Sequence, residues 1–246
     1  MKANSAFLLL LLFLFFSCGL ETYIYLDPVE SITIRGMNSV SIILPQQPPA
    51  SSDYFRYYTI YYRIYISDVN LTSITNDTQR RQINPNLANH YNVLDPYTTS
   101  DNVSPNALES VFERLKYYFL YVNDAGTARS INTVLGSAIF NAMVELDFTV
   151  NPPIMRVNSG TPSVLNRAST NFTSRPDRLF VNTTGTDNLS DCSIISDIVN
   201  ADVERIEADS GLFTYVSMYI FAVGIDENYS PLYSKPKHIG IFRLPP

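Results

Sequence analysis

Apolar residues fall along this chain in blocks of two different periods. Ile32 and Ile34, then Val40, Ile42 and Leu44, alternate with polar neighbours. That period of two belongs to strands with one buried face, and Arg35-Gly36-Met37-Asn38 between the two runs supplies a turn. Pro45, Pro48 and Pro49 end the pair. The strongest strand block is 57–67. One parity carries Tyr58, Ile60, Tyr62, Ile64 and Ile66 and is the predicted core face. The other carries Tyr57, Thr59, Tyr61, Arg63 and Tyr65, an amphipathic face that either meets water or is covered by the side chains of another sheet strand. Near the end, 214–225 reads as a long strand, with Met218, Ile220, Ala222 and Gly224 on one side and Tyr219, Phe221 and Val223 on the other. A turn at 226–231 and a last strand at about 237–244 follow.

The middle is less regular. Residues 68–104 are rich in Asn, Asp and Thr and show no apolar rhythm, so they read as a long excursion. Ser104-Pro105 then makes an N-cap followed by a first-turn proline. Leu108, Val111, Phe112, Leu115, Phe119 and Val122 recur at helical spacing, which predicts a helix over 105–121 ended by Asn123-Asp124-Ala125-Gly126. Residues 142–150 alternate as a strand, Pro152-Pro153 breaks it, 154–157 resumes it, and 179–181 forms a short strand.

The start of the chain has neither period. Residues 7–16 are an unbroken Phe/Leu run after Lys2. A bilayer span needs about 20 apolar residues, so the run fits the shorter hydrophobic core of an export signal. Two processing routes remain open. In one, an ordinary signal peptidase cuts after a nearby small residue. In the other, Cys18 becomes an acylated first residue.

Composition narrows the function. There are 17 Lys and Arg against 23 Asp and Glu, for a net charge of −6, which speaks against nucleic acid as a partner. Tyr 17 and Phe 14 with no Trp lean towards strands. Only Cys18 and Cys192 are present, so acylation of Cys18 leaves Cys192 without an internal disulfide partner, and packing must stabilise the fold. Cys192 has no histidine near it in sequence. The only histidines, His90 and His238, are far apart and lack metal-ligand spacing. Glu145 and Asp147 are placed to share a strand face, as a glycosidase pair or as a solvated surface. Asp197, Asp202, Glu204, Glu207 and Asp209 form an acidic patch without the glycine and ligand spacing of a calcium loop. No catalytic residue, metal or cofactor is expected.

Two resemblances add to this reading. Phe15-Phe16-Ser17-Cys18 resembles a relaxed lipobox, and residues 18–26 (Cys-Gly-Leu-Glu-Thr-Tyr-Ile-Tyr-Leu) are similar to the mature start of spirochaetal lipoproteins. This implies acyl chains on Cys18, a tether at 18–30 and a signal peptide at 1–17. One chain alone binds only marginally, whereas two or three anchor firmly. Further on, Val40–Leu44, Tyr62–Ser67, Ile220–Pro231 and Lys237–Leu244 resemble strands B, C, F and G of a fibronectin type III domain, with Leu44 where that family usually has Trp. The resemblance implies a mainly β, fibronectin type III or immunoglobulin-like sandwich over 31–246, with an insertion at about 68–212 holding at least one α-helix.

The expected function is a non-enzymatic binding or structural module, lipid-anchored in a bacterial cell envelope. Its expected partners are the membrane, through lipid on Cys18, and a protein or glycan; nucleic acid is excluded. A surface adhesin is one alternative, with Tyr57, Tyr61 and Tyr65 as an exposed aromatic ligand-binding patch. An exported carbohydrate-active enzyme is the other, and it requires converging carboxylates in a pocket.

Overall fold

The computed structural model describes residues 25–99, 105–124, 127–136, 141–166, 203–204 and 213–244. Strands β1 (Ser31–Arg35) and β2 (Ser39–Ile43) pair antiparallel with Ile32 opposite Ile42. Gly36 turns the chain between them at φ 65°, a conformation glycine adopts without steric cost. One helical turn, α1 (Pro49–Ser52), leads into β3 (Phe55–Ser67). Helices α2 (Asp77–Ile83), α3 (Pro85–Thr99) and α4 (Pro105–Arg114) come next. Then follow β4 (Tyr118–Phe119), β5 (Tyr121–Asp124), β6 (Thr127–Ser130) and the short α5 (Ile131–Val134). After these come β7 (Met143–Asp147), β8 (Ile154–Val157), β9 (Ser163–Asn166) and β10 (Val203–Glu204). The last strands are β11 (Phe213–Ile225), β12 (Pro231–Tyr233) and β13 (Lys237–Arg243). Among the described residues strand outweighs helix, 43% to 23%, so the mainly β class that the patterning predicts is the class observed.

The strands form two sheets. One has seven strands in the order β1-β2-β7-β8-β9-β5-β6, antiparallel throughout. The stretch expected as an insertion therefore supplies most of this sheet. The other is built on β3 and β11, which pair antiparallel from Phe213 opposite Ser67 to Gly224 opposite Phe55. β12 and β13 line the far edge of β11, while β4 and β10 border β3.

The two parities of β3 divide as the pattern predicts. Tyr58, Ile60, Tyr62 and Ile64 join Met218, Ile220 and Ala222 of β11 in one cluster with Val40, Ile42, Val144, Leu146, Met155 and Leu165 of the seven-stranded sheet. Each such side chain removed from water contributes about 1.5–3 kcal/mol. A polar atom at the edge of this core is satisfied: the Tyr58 hydroxyl donates to Pro45 O at 2.6 Å and accepts from Gln47 Nε2 at 2.8 Å. Burial pushes the Tyr58 hydroxyl up to about 12.

The second parity corrects an expectation. Tyr61 and Tyr65 are 2% and 0% exposed, so they form no surface patch; Tyr57 alone is partly open. Helices cover this face. Leu94 of α3 and Leu108, Val111 and Phe112 of α4 pack with Tyr61, Tyr219 and Phe221, while Ile83 and Leu87 pack with Tyr65 and Tyr215. β11 is consequently buried at every position from 214 to 224.

The excursion at 68–104 thus contains two of the covering helices, α2 and α3. Asn76 caps α2 by accepting from Gln79 N at 3.0 Å; Ile83 is buried at the end of α2, and the buried Leu87 and Leu94 share one stripe of α3. The helix expected over 105–121 stops at Arg114. Lys116 takes φ 55°, Lys116 N donates to Glu113 O at 2.9 Å, and Tyr117 N donates to Phe112 O at 2.8 Å. Those two bonds make a Schellman C-cap. Beyond it Phe119 pairs with Tyr61 as strand, because the edge of β3 offers backbone partners that outweigh helical spacing. The leader, Cys18, Cys192, the strand expected at 179–181 and all of the acidic patch except Glu204 of β10 lie outside the described residues.

The doubly enclosed sheet sets a measurable sensitivity. Ile220→Ala should destabilise the protein by about 2–5 kcal/mol in chemical denaturation. Ile43→Ala, at a site 48% exposed on β2, should cost less than about 1 kcal/mol.

Candidate functional site

Where the helical layer ends, the outer face of β3 and β11 opens into a pocket of about 200 Å³. Its floor is Tyr57, Thr59 and Tyr61 of β3 with Phe221 and Val223 of β11. These five share the parity opposite the core. Phe119 of β4 closes one side, Glu109 of α4 and Tyr233 of β12 another, and Tyr229 and Pro231 stand at the rim. The strand register places Thr59 directly opposite Phe221.

Each wall is held by a definite contact. The rings of Tyr61 and Phe221 stack at 5.3 Å with planes 18° apart, and Phe119 lies 4.4 Å from Tyr61. Tyr233 donates its hydroxyl to Glu109 Oε2 at 2.6 Å, fixing the carboxylate against β12. Burial first, then this bond to Glu109, keeps the Tyr233 phenol protonated well above its ordinary range. At the rim, Asp226 Oδ1 accepts from Asn228 N at 2.8 Å and Ser230 N at 2.7 Å. That turn presents Tyr229 at φ 63° with 89% of its surface in water. Thr59 is the exception among these contacts: it is 1% exposed and its Oγ1 makes no hydrogen bond within the described chain.

A second polar feature lies deeper under the helices. Tyr65 Oη is 2.8 Å from His90 Nδ1 and 3.2 Å from Tyr117 Oη. Tyr117 donates to Ser217 Oγ at 3.2 Å, and Ser217 Oγ is 3.3 Å from His238 Nε2. Each hydroxyl has one proton to give. With Tyr117 donating to Ser217, the order that uses every link is His90 Nδ1–H to Tyr65, Tyr65 to Tyr117, Tyr117 to Ser217, and Ser217 to a bare His238 Nε2. The two histidines, isolated in sequence, are the ends of one hydrogen-bonded chain. Burial, reinforced by the Arg80 guanidinium, lowers the His238 pKa to about 3, which suits its role as acceptor. Arg80 lies 3.6 Å over the Tyr91 ring, whose edge contacts His238 at a centroid distance of 5.3 Å. Ser217 is only 1% exposed, so this serine–histidine contact is a packed structural link.

The structure separates the other candidates. Tyr57 and Tyr61 line the pocket, whereas Tyr65 lies in the buried chain. Glu145 and Asp147 sit on β7 in the other sheet. Glu145 faces Arg156 across the strands, and Asp147 accepts from Thr149 N at 2.9 Å with Oδ2 4.0 Å from Arg156 Nη1. Those contacts make a strand-end cap and a cross-strand pair. Among the described residues no three His, Cys, Asp or Glu side chains are grouped to hold a metal.

Sequence reading missed Glu109, Phe221 and Tyr233 as pocket residues. Glu109 and Tyr233 are 124 positions apart, and nothing in their local patterns links them. The row of tyrosines on the second parity of β3, which includes Tyr57 and Tyr61, was the visible sign. No protein-family model, curated protein or solved structure matches this chain.

The His238 environment predicts an acid-sensitive stability. Unfolded histidine binds its proton near pH 6.5, while the folded group stays neutral to about 3. Between these values the unfolded state holds more protons, so stability falls as pH falls. The slope from His238 is at most about 1.4 kcal/mol per pH unit. Unfolding free energies of wild type minus His238→Gln should decline from pH 6.5 downward and stay level above it. A difference that is flat throughout would show that His238 titrates normally.

Proposed function

We propose that this chain is an exported lipoprotein, tethered to a bacterial envelope membrane through lipid on Cys18, whose folded body is a non-enzymatic binding module. The observation that carries the binding role is the open end of the β3–β11 face. There an aromatic floor and one carboxylate converge in a single concavity. The tether rests on the apolar run at 7–16 and on Ser17-Cys18. No helix among the described residues is long and apolar enough to cross a membrane.

The body is best read as an elaborated fibronectin type III or immunoglobulin-like sandwich. Such domains place strands A, B and E in one sheet and C, F and G in the other. Here β1, β2 and β7 are neighbours in one sheet, and β3, β11 and β13 in the other, which agrees with the four motifs that resemble B, C, F and G. On this reading β5, β6, β8 and β9 widen the first sheet and α2–α4 cover the second. Binding domains of this class work through their loops and strand ends, and the pocket lies at such an end, beside the β11–β12 turn.

Growth of producing cells with a palmitate analogue tests the tether. Wild type should incorporate label and partition with membranes, while Cys18→Ala should do neither. Equal labelling of the two would remove the lipoprotein reading.

A further inference from the structure

Both sheets end in marginal strands. A strand at a margin presents a row of unpaired N–H and C=O groups to which a further strand can add, and natural sheets blunt such edges by shortness, proline, charge or bulges. Among the described residues most margins are blunted in these ways. β4 and β10 have two residues each, and β12 has three and begins with Pro231. β6 has four residues and carries Arg129. β13 is longer, but Lys237 and Arg243 stand at its ends, and its register with β11 skips Ile239, which marks a bulge.

β1 lacks these guards except for Arg35 at its last position. It pairs with β2 on one side and with no strand among the described residues on the other. Its five residues, Ser31-Ile32-Thr33-Ile34-Arg35, contain no proline, pair with β2 without a break in register, and are exposed at every position except Ile32. Ile34 is the telling side chain. Its partner Val40 is 1% exposed and belongs to the core, whereas Ile34, on the same face, is 52% exposed. A Cβ on Gly240 of β13 would lie 3.2 Å from Ile34 Cδ1, so Ile34 covers β13 inwardly and lies open towards the margin.

The strand is also complementary to itself. When two copies meet antiparallel at one edge, a twofold axis perpendicular to the sheet relates them, so residues opposite each other have the same parity. Centred on Thr33, the pairing sets Ile32 against Ile34 of the second copy, Thr33 against Thr33, and Ser31 against Arg35. Every residue of β1 is then matched, apolar with apolar on the core face, polar with polar on the other, with no like charges opposed. Such a contact is isologous and closes at two copies.

We infer that two copies of this chain join edge to edge through β1, antiparallel and centred on Thr33, so that the seven-stranded sheet of one continues into that of the other. The dimer is a property of the sheet margin and stands apart from the pocket and what it binds. Five paired residues make a contact smaller than the roughly 1,600 Å² of standard interfaces, so the association is reversible.

Thiol cross-linking and sedimentation velocity of the full-length protein test this, in a neutral detergent whose micelles are in large excess, so that two copies seldom share one by chance. The Cys192→Ser protein sets the background for cross-linking. Adding Thr33→Cys should give a disulfide-linked dimer on oxidation, since the Cα atoms of opposed residues lie about 4.5–5.5 Å apart, within disulfide reach. Adding Arg35→Cys instead should give no more than background, because position 35 faces Ser31 of the second copy. Sedimentation of the unmodified protein should show a dimer fraction that rises with concentration. Ile34→Lys sets two lysines diagonally across the pair and should weaken dimerisation roughly tenfold or more. Tyr229→Ser removes the most exposed large apolar side chain among the described residues and should leave dimerisation unchanged. Circular dichroism and thermal melting establish that each variant is folded. A protein that sediments as monomer throughout, equal cross-linking at positions 33 and 35, or a dimer that survives Ile34→Lys and is lost in Tyr229→Ser would overturn the assignment.

Discussion

The antiparallel pairing of β3 with β11 is the constraint on which the other elements depend. Both strands are thirteen residues long, and their pairing runs almost from end to end. Both faces of the pair carry large apolar and aromatic side chains, so a single partner layer would leave one face wet. The seven-stranded sheet covers one face and the helices α2–α4 cover the other, giving a layered arrangement about a central sheet. Where the second cover ends, the same side chains become the floor of a pocket. The site is therefore a consequence of how far the helical layer extends.

Much of the central sheet was legible because period two is written plainly in it. Ile60, Tyr62 and Ile64, and Met218, Ile220 and Ala222, face the core as their spacing implies. The covering layer was less legible. Residues 68–104 are dominated by polar side chains, and α3 buries only Leu87, Ala88 and Leu94. A helix that lies on a tyrosine-rich sheet needs few aliphatic anchors, since the sheet supplies the bulk of the apolar surface. Helical spacing at Phe119 and Val122 misled for the opposite reason: the free edge of β3 and the ladder of β5 recruited them as strands.

The site was legible only in part. The odd-numbered tyrosines of β3 were visible as a row with a distinct role, but a row does not show which member stays open. Tyr65 lies beneath α3, whereas Tyr57 only borders the cluster under α4 and stays partly open. Glu109 and Tyr233 meet because the helix and the edge strand are docked on one sheet, which is information held in the topology. The pairing of His90 with His238 through three hydroxyls is of the same kind.

That hydrogen-bonded chain has a directional consequence. Its members come from α3, β3, β11, β13 and the segment after α4, so it stitches the helical layer to the sheet along one line. Because each hydroxyl gives one proton and the order is head to tail, no member can turn alone. A proton arriving at His238 would make its Nε2 a donor, and Ser217 Oγ, already accepting from Tyr117, would then accept from both sides. Its own hydrogen would lose the acceptor that the neutral imidazole provides. The charge on His238 is thus opposed twice, by burial and by the buried serine hydrogen it would leave without a partner in the chain.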